Sequence, residues 1–519
     1  MTTYDSIPYP SYCYPQSSPA HLHAISKLFG LTPVDLDEAK VLEIGCASGG
    51  NLLPLATRFP KSEFVGIDLS KGQISKAKEH VKKLELENVK FIAASIVEHN
   101  FKREKFDYII VHGVYSWVPT NVQGRLLEIC GEHLSKNGVA FISYNTLPGW
   151  NAVKTIRDMM LYHGQNFKDP AQKVQQSRQM LKFVSENMKH QTGPYKETLD
   201  AEIKTLQDVS DNYLLHDHLE AVNAPCYFHE FIDKAAQQGL TYLSEADLPS
   251  MFLGNQNKTV SGVLSQIDDP IRLEQYLDFI TNRRFRSTLL VKEGNQVLRH
   301  VSSERLEEIR FIPQYRLKDT LAIEDLGKIE ELDLVHIRNE SQTANVKGRV
   351  ICTAIIEMLR ALPHRLSLQD ITKHAAEHLG DLTIDDIEKE LGNVLLKFIF
   401  NGIFNITSDQ SCVCTEITEK PFAFLPAILL GQSMDMLPNQ HHEVVKLTDD
   451  QRLVLQYVNG RNTIEQICEV LKGHIDKGEL NINANGKPLD KETAGFDGYI
   501  RQYVEQTLHL YAQNALLQA

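Results

Sequence analysis

The first third of the chain alternates short apolar runs with longer stretches of helical spacing. The apolar runs carry hydrophobic residues at consecutive positions, which is typical of strands buried on both faces of a parallel sheet. The predicted strands are 39–47, 63–70, 88–95, 106–114 and 138–146, and the predicted helices are 51–59, 71–86 and 121–135. This alternation of strand and helix predicts a doubly wound, Rossmann-like α/β domain.

The pattern changes after residue 150. Residues 151–238 have helical spacing with few strand signals, whereas 239–248 and 286–294 again have the pattern of strands. We interpret 151–238 as a helical insertion and the two later strands as the closing strands of the same sheet. The first domain is then expected to span residues 1–295, and a domain border at residue 150 is the alternative.

The rest of the chain predicts two mainly helical modules, at 296–420 and 421–519. Each has helices followed by a strand-like stretch (404–417 in the first module), which is the order of a winged-helix domain. A DNA-binding winged helix carries Lys and Arg on its third helix. The corresponding segment 384–400 has four acidic residues against two lysines, so protein contact or intramolecular packing is favoured over DNA binding.

Composition and charge narrow the class of protein. Of the 519 residues, 42% are hydrophobic and 23% are charged, as in globular proteins with a substantial core. There are 54 Lys and Arg against 67 Asp and Glu, which gives a formal net charge of −13. Such an acidic surface disfavours generic binding to nucleic acid or to anionic membranes and favours a basic partner.

Neither export nor stable insertion into a membrane is expected. The N-terminus lacks the basic and apolar regions of a signal peptide, and the longest apolar run, 422–430, is too short to span a bilayer. The eight cysteines include no CxxC pair, and Cys412 and Cys414 alternate on a predicted strand, so no metal site is predicted. These observations predict a protein of the reducing cytoplasm.

The most specific motif is VLEIGCASGGN at 41–51, where a predicted strand carrying Glu43 leads through small residues into a helix. Small residues let the backbone approach a ligand, and a helix N-terminus offers free N–H donors. A dinucleotide site would have the pattern GxGxxG, which this turn lacks. Glu43 would repel a pyrophosphate, and it suits a cationic ligand such as the sulfonium and amino-acid moiety of S-adenosylmethionine.

The ends of the next two strands offer further ligand contacts. Asp68 ends the second strand, where a carboxylate can accept hydrogen bonds from both hydroxyls of a ribose. The alternative is that Asp68 caps the following helix, although Ser70 can provide that cap alone. The third strand ends where adenosylmethionine enzymes often place an acid facing the adenine amine. Here that contact would come from Ser95–Ile96, from the backbone or from Glu98.

These motifs resemble the class I S-adenosylmethionine-dependent methyltransferases. Together with 108–119, 143–150 and NRRFRSTLLV at 282–291, they resemble the bacterial family that carries a methyltransferase regulatory domain. That family includes protein-lysine methyltransferases acting on rickettsial outer-membrane autotransporters. The resemblance covers most of the chain, and it implies binding of S-adenosylmethionine and methyl transfer to a lysine side chain of a protein such as an outer-membrane protein.

The predicted cofactor-binding residues lie in the glycine-rich turn and at the neighbouring strand ends. They are Glu43, Gly45, Cys46, Ala47, Gly49, Asn51, Asp68, Leu69, Ser95, Ile96, His112 and Gly113. The tyrosine- and proline-rich segment 4–16 is expected either to pack as an irregular strap or to cover the cofactor as a lid, and we favour the lid.

The loops after the fourth and fifth strands are expected to form the acceptor pocket, because open α/β sheets bind ligands at the carboxyl ends of their strands. Aromatic side chains can hold a lysine head group and its methylated products through cation–π contacts. The predicted acceptor residues are His112, Tyr115, Trp117, Tyr144, Asn145 and Trp150. The alternatives are that Tyr115 and Trp117 are core residues and that His112 is a hydrogen-bonded structural histidine.

Three functions remain open from the sequence. The first is methyl transfer from S-adenosylmethionine to lysine side chains of a protein substrate. The second is methyl transfer to a small metabolite, with the C-terminal modules forming a homo-oligomer. The third is a non-catalytic scaffold with a methyltransferase fold, which the intact glycine-rich turn and Asp68 disfavour.

Overall fold

The computed structural model describes residues 11–207, 209–319, 325–410, 413–480, 482–484, 487–489 and 491–518. Seven strands form its central sheet, namely β1 (Lys40–Ile44), β2 (Glu63–Asp68), β3 (Val89–Ala93), β4 (Phe106–Val111), β5 (Leu134–Asn145), β6 (Leu240–Glu245) and β7 (Phe285–Lys292). Their order in the sheet is β3-β2-β1-β4-β5-β7-β6. β1 to β5 are parallel, and β7 runs antiparallel to both β5 and β6. The predicted Rossmann-like sheet with its two closing strands is confirmed.

Helices cover both faces of this sheet. Along β4, Tyr108 and Ile110 belong to one hydrophobic core, and Ile109 and Val111 belong to another. Because successive side chains of a strand point to opposite faces, each core lies on its own side of the sheet. The helices of the first 292 residues are Pro19–Leu28, Leu52–Arg58, Lys71–Lys83, Thr120–His133, Trp150–Gly164, Pro170–Asn187, Pro194–Gln207, Asp211–Tyr213, Leu214–His218 (a π-helix), Phe228–Ala236, Lys258–Leu264 and Pro270–Thr281.

A middle module follows the sheet and shares its hydrophobic core on one face. Its strands are β8 (Arg310–Pro313), β9 (Tyr315–Leu317), β10 (Glu331–His336), β11 (Thr343–Lys347) and β12 (Phe404–Thr407), and its main helices are Arg349–Arg360, Leu368–Ala376 and Ile384–Phe400. The small sheet of β9, β10 and β11 was not predicted. The N-terminal helix joins this module to the sheet, because the His21 ring bonds both the Ile406 carbonyl, at 2.9 Å, and the Ala246 carbonyl, at 2.8 Å.

The strand predicted over 404–417 is much shorter in the structure. β12 ends at Thr407 and pairs with β8, which lies far earlier in the chain. The next residue, Ser408, donates its N–H to the Ala20 carbonyl of the N-terminal helix at 3.0 Å, which takes the backbone out of the strand pairing. Cys414 accordingly lies outside any strand, and Cys412 lies outside the described residues.

The C-terminal module has a hydrophobic core of its own. Its helices are Leu425–Leu430, Asp449–Tyr457, Ile464–Asp476 and Phe496–Gln513, and its strands are β13 (Met436–Pro438), β14 (Val444–Lys446), β15 (Asn483–Ala484) and β16 (Lys487–Pro488). The helices Asp449–Tyr457 and Ile464–Asp476 are followed by the hairpin of β15 and β16, which is the predicted order of helices and then a strand-like stretch, and the long helix comes last. The first hairpin, β13 and β14, was not predicted.

A buried ionic cluster fixes the helix Pro270–Thr281 against β6 and β7. The Arg286 guanidinium is 1% exposed and donates to Asp278 at 2.8 and 2.9 Å, to Glu245 at 2.6 Å and to Glu274 at 3.0 Å. Arg283 contributes a second positive charge, 3.1 Å from Asp278. Buried charges are tolerated only when they are paired and hydrogen-bonded, so Arg286 is required by the acids around it.

Replacing Arg286 by Met should therefore destabilise the protein by about 3–5 kcal/mol, because it leaves buried carboxylates without their main partner. Chemical denaturation followed by circular dichroism measures the free energy of unfolding. Arg272→Met is the matched control. Arg272 lies exposed on the helix Pro270–Thr281, which carries acids of the cluster, and its loss should change this free energy by less than about 0.5 kcal/mol. A loss no larger than that of the control would contradict the role given to the cluster.

Candidate active site

The glycine-rich turn joins β1 to the helix Leu52–Arg58 at the carboxyl edge of the sheet. Gly45 and Gly49 have φ angles of +80° and +83°, which residues other than glycine rarely adopt. A Cβ atom on Gly45 would lie 2.4 Å from the Val114 side chain, and one on Gly49 would lie 2.5 Å from Phe91. The glycines are thus needed for the turn and for its packing against the protein itself.

Glu43 lies under this turn with a buried side chain. Its Oε1 accepts a hydrogen bond from Asn51 Nδ2 at 2.9 Å, whereas its Oε2 is buried and has no hydrogen-bond partner among the described residues. Burial raises the pKa of Glu43 to about 8, with a smaller contribution from the charge of Asp68. The site therefore holds an unmatched acceptor oxygen, which fits a ligand that brings a donor or a positive charge.

Asp68 bridges β2 and the glycine-rich turn. Its Oδ2 accepts from Ala47 N at 2.9 Å, and its Oδ1 accepts from Ser70 N at 2.8 Å. The following helix is capped by the Ser70 hydroxyl, which accepts from Gln73 N. These bonds hold the Asp68 carboxylate at the carboxyl edge of the sheet, beside the glycine-rich turn.

The other predicted cofactor residues line the same edge. Leu69 is 61% exposed, and Ser95 and Ile96 are half-buried just after β3, whose Ala93 pairs with Asp68 of β2. Gly113 follows β4 with a φ of +66°, and a Cβ built on it would meet no atom within 4 Å. The edge thus offers an apolar surface beside an acid and open space above a glycine, which fits an adenosyl group.

His112 lies next to Gly113 and is held by the protein. Its Nδ1 lies 3.1 Å from the Ser143 hydroxyl, which also accepts from Gly113 N at 2.9 Å. Burial lowers the pKa of His112 to about 4, so the ring is neutral near pH 7. The centroid of the Tyr14 ring lies 4.0 Å from that of His112.

Tyr14 belongs to the N-terminal segment, of which the structure describes residues 11–16 within the predicted 4–16. Ser11 accepts a hydrogen bond from Gly50 N at 2.8 Å, and Tyr14 N donates to Asn51 at 3.0 Å. A Cβ on Gly50 would lie only 2.0 Å from the Ser11 carbonyl oxygen. This segment crosses directly over the glycine-rich turn.

The predicted acceptor residues separate into two groups. Tyr115 and Tyr144 are 0% and 1% exposed, and both rings pack against Phe231, with centroids 5.2 and 4.2 Å apart. This placement matches the core-residue alternative for Tyr115 and puts Tyr144 beside it in the core. Trp117 and Trp150 instead form an edge-to-face pair with ring centroids 6.3 Å apart.

Asn145 bonds the residue next to Trp117, and Asn223 bonds the Trp150 indole. Asn145 N donates to the Ser116 hydroxyl at 2.8 Å, and Trp150 Nε1 donates to Asn223 Oδ1 at 2.7 Å. The side-chain nitrogens of both asparagines are buried without a hydrogen-bond partner among the described residues. Such groups are rare in folded proteins and often mark places where water or a ligand binds.

The π-helix Leu214–His218 adds polar groups that the sequence analysis missed. Arg157 Cζ lies 5.7 Å from the Trp117 ring, and its charge affects the pKa values of Asp217 and His218. Burial raises the pKa of Asp217 to about 6. Asp217 Oδ2, His218 Nδ1 and Arg157 Nη1 are buried without a hydrogen-bond partner in the described part of the chain.

The signal for this cluster was present in the sequence as LLHDHLE at 214–220, which places two histidines and two acids in an otherwise helical insertion. A π-helix is frequent at functional sites, but hydrophobic spacing does not distinguish it from an α-helix. Among the described residues, no group of three or more His, Cys, Asp or Glu side chains could hold a metal ion, and no helix is long and apolar enough to cross a bilayer.

Comparisons with known proteins identify the family. Family models match a methyltransferase domain at residues 35–208, a predicted methyltransferase regulatory domain at 210–292 and a PKMT C-terminal winged-helix domain at 419–516. The uncharacterized protein RP789 of Rickettsia prowazekii is 36% identical over 99% of this chain and 93% of its own length. The structure of PKMT2 from Rickettsia typhi in complex with AdoHcy matches with a TM-score of 0.89 and 32% identity, covering 98% of this chain and 100% of that one.

The chain belongs to the family of methyltransferases with a regulatory domain and a PKMT C-terminal winged-helix domain, in which it is similar to PKMT2 from R. typhi. A second relative, the uncharacterized protein RP028 of R. prowazekii, is 45% identical over 46% of this chain and 94% of its own length. The resemblance drawn from the sequence is confirmed, and the chain is an S-adenosylmethionine-dependent methyltransferase. The free oxygen of Glu43 and the open space above Gly113 fit that cofactor.

The raised pKa of Glu43 predicts how stability depends on pH. An unfolded glutamate has a pKa of about 4.3, so the folded protein holds this proton more tightly, and stability falls as the pH rises towards 8. Without ligand, the wild type should lose on the order of 2–4 kcal/mol relative to Glu43→Gln between pH 5 and pH 8. Parallel urea denaturations of both proteins measure this difference. Identical pH dependence would show that Glu43 is ionised throughout.

Proposed function

We propose that this chain transfers methyl groups from S-adenosylmethionine to lysine side chains of a protein substrate. The observation that carries the proposal is the edge-to-face pair of indoles, Trp117 and Trp150. Arg157 Cζ lies 5.7 Å from the Trp117 ring, and its charge opposes the burial that raises the pKa of Asp217, so this carboxyl group belongs to the same region. A lysine has a long apolar stem and a cationic head, which aromatic walls and one carboxylate can bind together. The full-length match to PKMT2, including its winged-helix region, supports this acceptor over a small metabolite.

We place the cofactor at the carboxyl ends of β1 to β4. Glu43 would receive the cationic amino-acid end, Asp68 the ribose hydroxyls, and Leu69 with Ser95–Ile96 the adenine. Cys46, Ala47 and Gly49 would shape the turn beneath the ligand. His112 and Gly113 lie where the cofactor site meets the loop that carries Trp117, which is where the methyl group has to face the acceptor.

Methyl transfer forms a bond between the lysine Nζ and the methyl carbon while the carbon–sulfur bond breaks and the sulfonium becomes a thioether. The amine must be neutral to attack, so the ammonium first gives up its proton to bulk water. Asp217 has a raised pKa of about 6 and is mostly ionised above pH 7, where it can hold the ammonium in place. Alignment of the nucleophile supplies much of the rate in such an in-line displacement.

The chemistry of the partner follows from the same features. The net charge of −13 favours a basic or unfolded protein segment over an acidic one. We propose an outer-membrane protein as the substrate on the strength of the family resemblance, with methylation occurring before export. The middle and C-terminal modules are proposed to hold this substrate.

Loss of Asp68 should weaken cofactor binding. Asp68→Ala removes charge-assisted hydrogen bonds worth about 1.5–3 kcal/mol, so the Kd for S-adenosylmethionine should rise about 10- to 100-fold. Isothermal titration calorimetry measures the Kd. Glu63→Ala is the matched control, because Glu63 lies on the same strand and its side chain forms an exposed salt bridge with Lys40. Equal affinity of a folded Asp68→Ala protein would refute the ribose assignment.

Substitutions in the proposed acceptor pocket should lower methyl transfer without weakening the binding of S-adenosylmethionine. Trp117→Ala and Asp217→Asn should each lower methyl incorporation into protein by at least 10-fold, since they remove acceptor contacts, while the Kd for S-adenosylmethionine changes by less than about threefold. Tyr115→Phe is the control, because its hydroxyl has no described hydrogen-bond partner and its ring stays in the core. Lost cofactor binding in Trp117→Ala would instead place Trp117 at the adenosyl site.

A further inference from the structure

The side-chain amide of Asn51 uses all of its hydrogen-bonding capacity within the protein. Its Oδ1 accepts from Tyr14 N at 3.0 Å and lies 2.8 Å from Nε2 of His442. Its Nδ2 donates to Glu43 Oε1 at 2.9 Å and to the Ser17 hydroxyl at 3.2 Å. An asparagine offers two donors and two acceptor positions, so no part of this amide is left for a ligand.

The bonds from Tyr14 N and from His442 together fix the orientation of that amide. Because Asn51 Oδ1 can only accept, His442 donates from Nε2 and carries its proton there. Rotating the amide by half a turn would bring its nitrogen against two donors, His442 Nε2 and Tyr14 N, and its oxygen against Glu43 Oε1, leaving the carboxylate facing an acceptor. With His442 in place, Nδ2 meets Oε1 of Glu43, and Oε2 remains the free acceptor of the site.

His442 comes from the C-terminal module, in the turn 439–443 between β13 and β14. Its backbone has a φ of +59°, in the left-handed region that residues other than glycine seldom occupy. Inside the turn, Asn439 Oδ1 accepts from the backbone nitrogens of His441 and Glu443 at 2.9 and 2.8 Å. The turn therefore presents the His442 ring on a fixed backbone.

Two other parts of the chain hold this turn. Asn439 Nδ2 donates to the Asn514 carbonyl at the end of the last helix, at 3.0 Å. The middle module contributes Arg365, which donates to Glu443 Oε1 at 2.7 Å, and the Pro363 carbonyl, which lies 2.8 Å from His441 Nε2. The position of the His442 ring thus depends on how both modules dock against the methyltransferase domain.

We propose that His442 is a positioning residue for cofactor binding, through which the C-terminal module completes the S-adenosylmethionine site. It acts on Asn51, which in turn orients Glu43, and it does not touch the cofactor. This inference rests on the proposed placement of the cofactor at Glu43. By thermodynamic reciprocity, cofactor binding then favours the docked arrangement of the C-terminal module to the same extent that docking favours cofactor binding.

Two substitutions in the full chain test the role of the Nε2 donor. The amide nitrogen of Gln lies about as far from Cβ as Nε2 of histidine, so His442→Gln can still donate to Asn51, whereas Asn is too short. Calorimetric titration with AdoHcy should give a Kd raised about 3- to 10-fold in His442→Asn and restored to within about twofold in His442→Gln.

The backbone alone predicts the opposite order, because Asn tolerates the left-handed conformation of residue 442 better than Gln does. A purely structural role for the turn would therefore make His442→Asn the milder change. Equal affinities of the two variants, or tighter binding by His442→Asn, would overturn the inference.

A double-mutant cycle tests whether the effect passes through Asn51. Asn51→Ala should weaken AdoHcy binding, and adding His442→Asn to it should change the Kd by less than twofold. Additive losses would overturn the proposed route. Glu43→Gln separates this inference from the placement of the cofactor: if it leaves the Kd unchanged, that placement fails, whereas weakening by Glu43→Gln with no effect of His442→Asn overturns the role of His442 alone.

Discussion

The Asn51 amide joins the carboxyl end of β1, the N-terminal segment and the C-terminal module through four hydrogen bonds in one buried position. A buried amide must have its donors and acceptors matched, so each of these elements can dock only where it meets the right atom of Asn51. The glycine-rich turn that this amide follows is also held by Asp68 from β2 and by Ser11 from the N-terminal segment. The geometry of the cofactor site is thus set by distant parts of the chain as well as by its own loop.

The sheet could be predicted from the sequence because consecutive apolar positions and intervening helical spacing are local properties of the chain. The glycine-rich turn and Asp68 could be found for the same reason, since their spacing lies within one β-α-β unit. The pairing of His442 with Asn51 joins residues 391 positions apart, and no local pattern indicates it. The length of β12 was predicted wrongly because its partner, β8, and the helix that ends it come from elsewhere in the chain.

The aromatic residues show the same limit on a smaller scale. Tyr115 and Trp117 lie two positions apart on one loop, yet one ring is in the core and the other pairs with Trp150. The difference comes from Phe231, on the last helix of the insertion, which fills the space beside Tyr115 and Tyr144. The insertion also supplies Asp217 and Asn223, so it contributes to the proposed acceptor pocket and is more than a connection between β5 and β6.

The central claim, that the acceptor is a lysine side chain of a protein, is tested most directly by mapping the transferred methyl groups. The full chain is incubated with isotopically labelled S-adenosylmethionine and an extract of cell-envelope proteins, and the labelled peptides are sequenced by mass spectrometry. The account predicts label on the Nζ atoms of lysine residues in protein. Label confined to small molecules, or to side chains other than lysine, would contradict it.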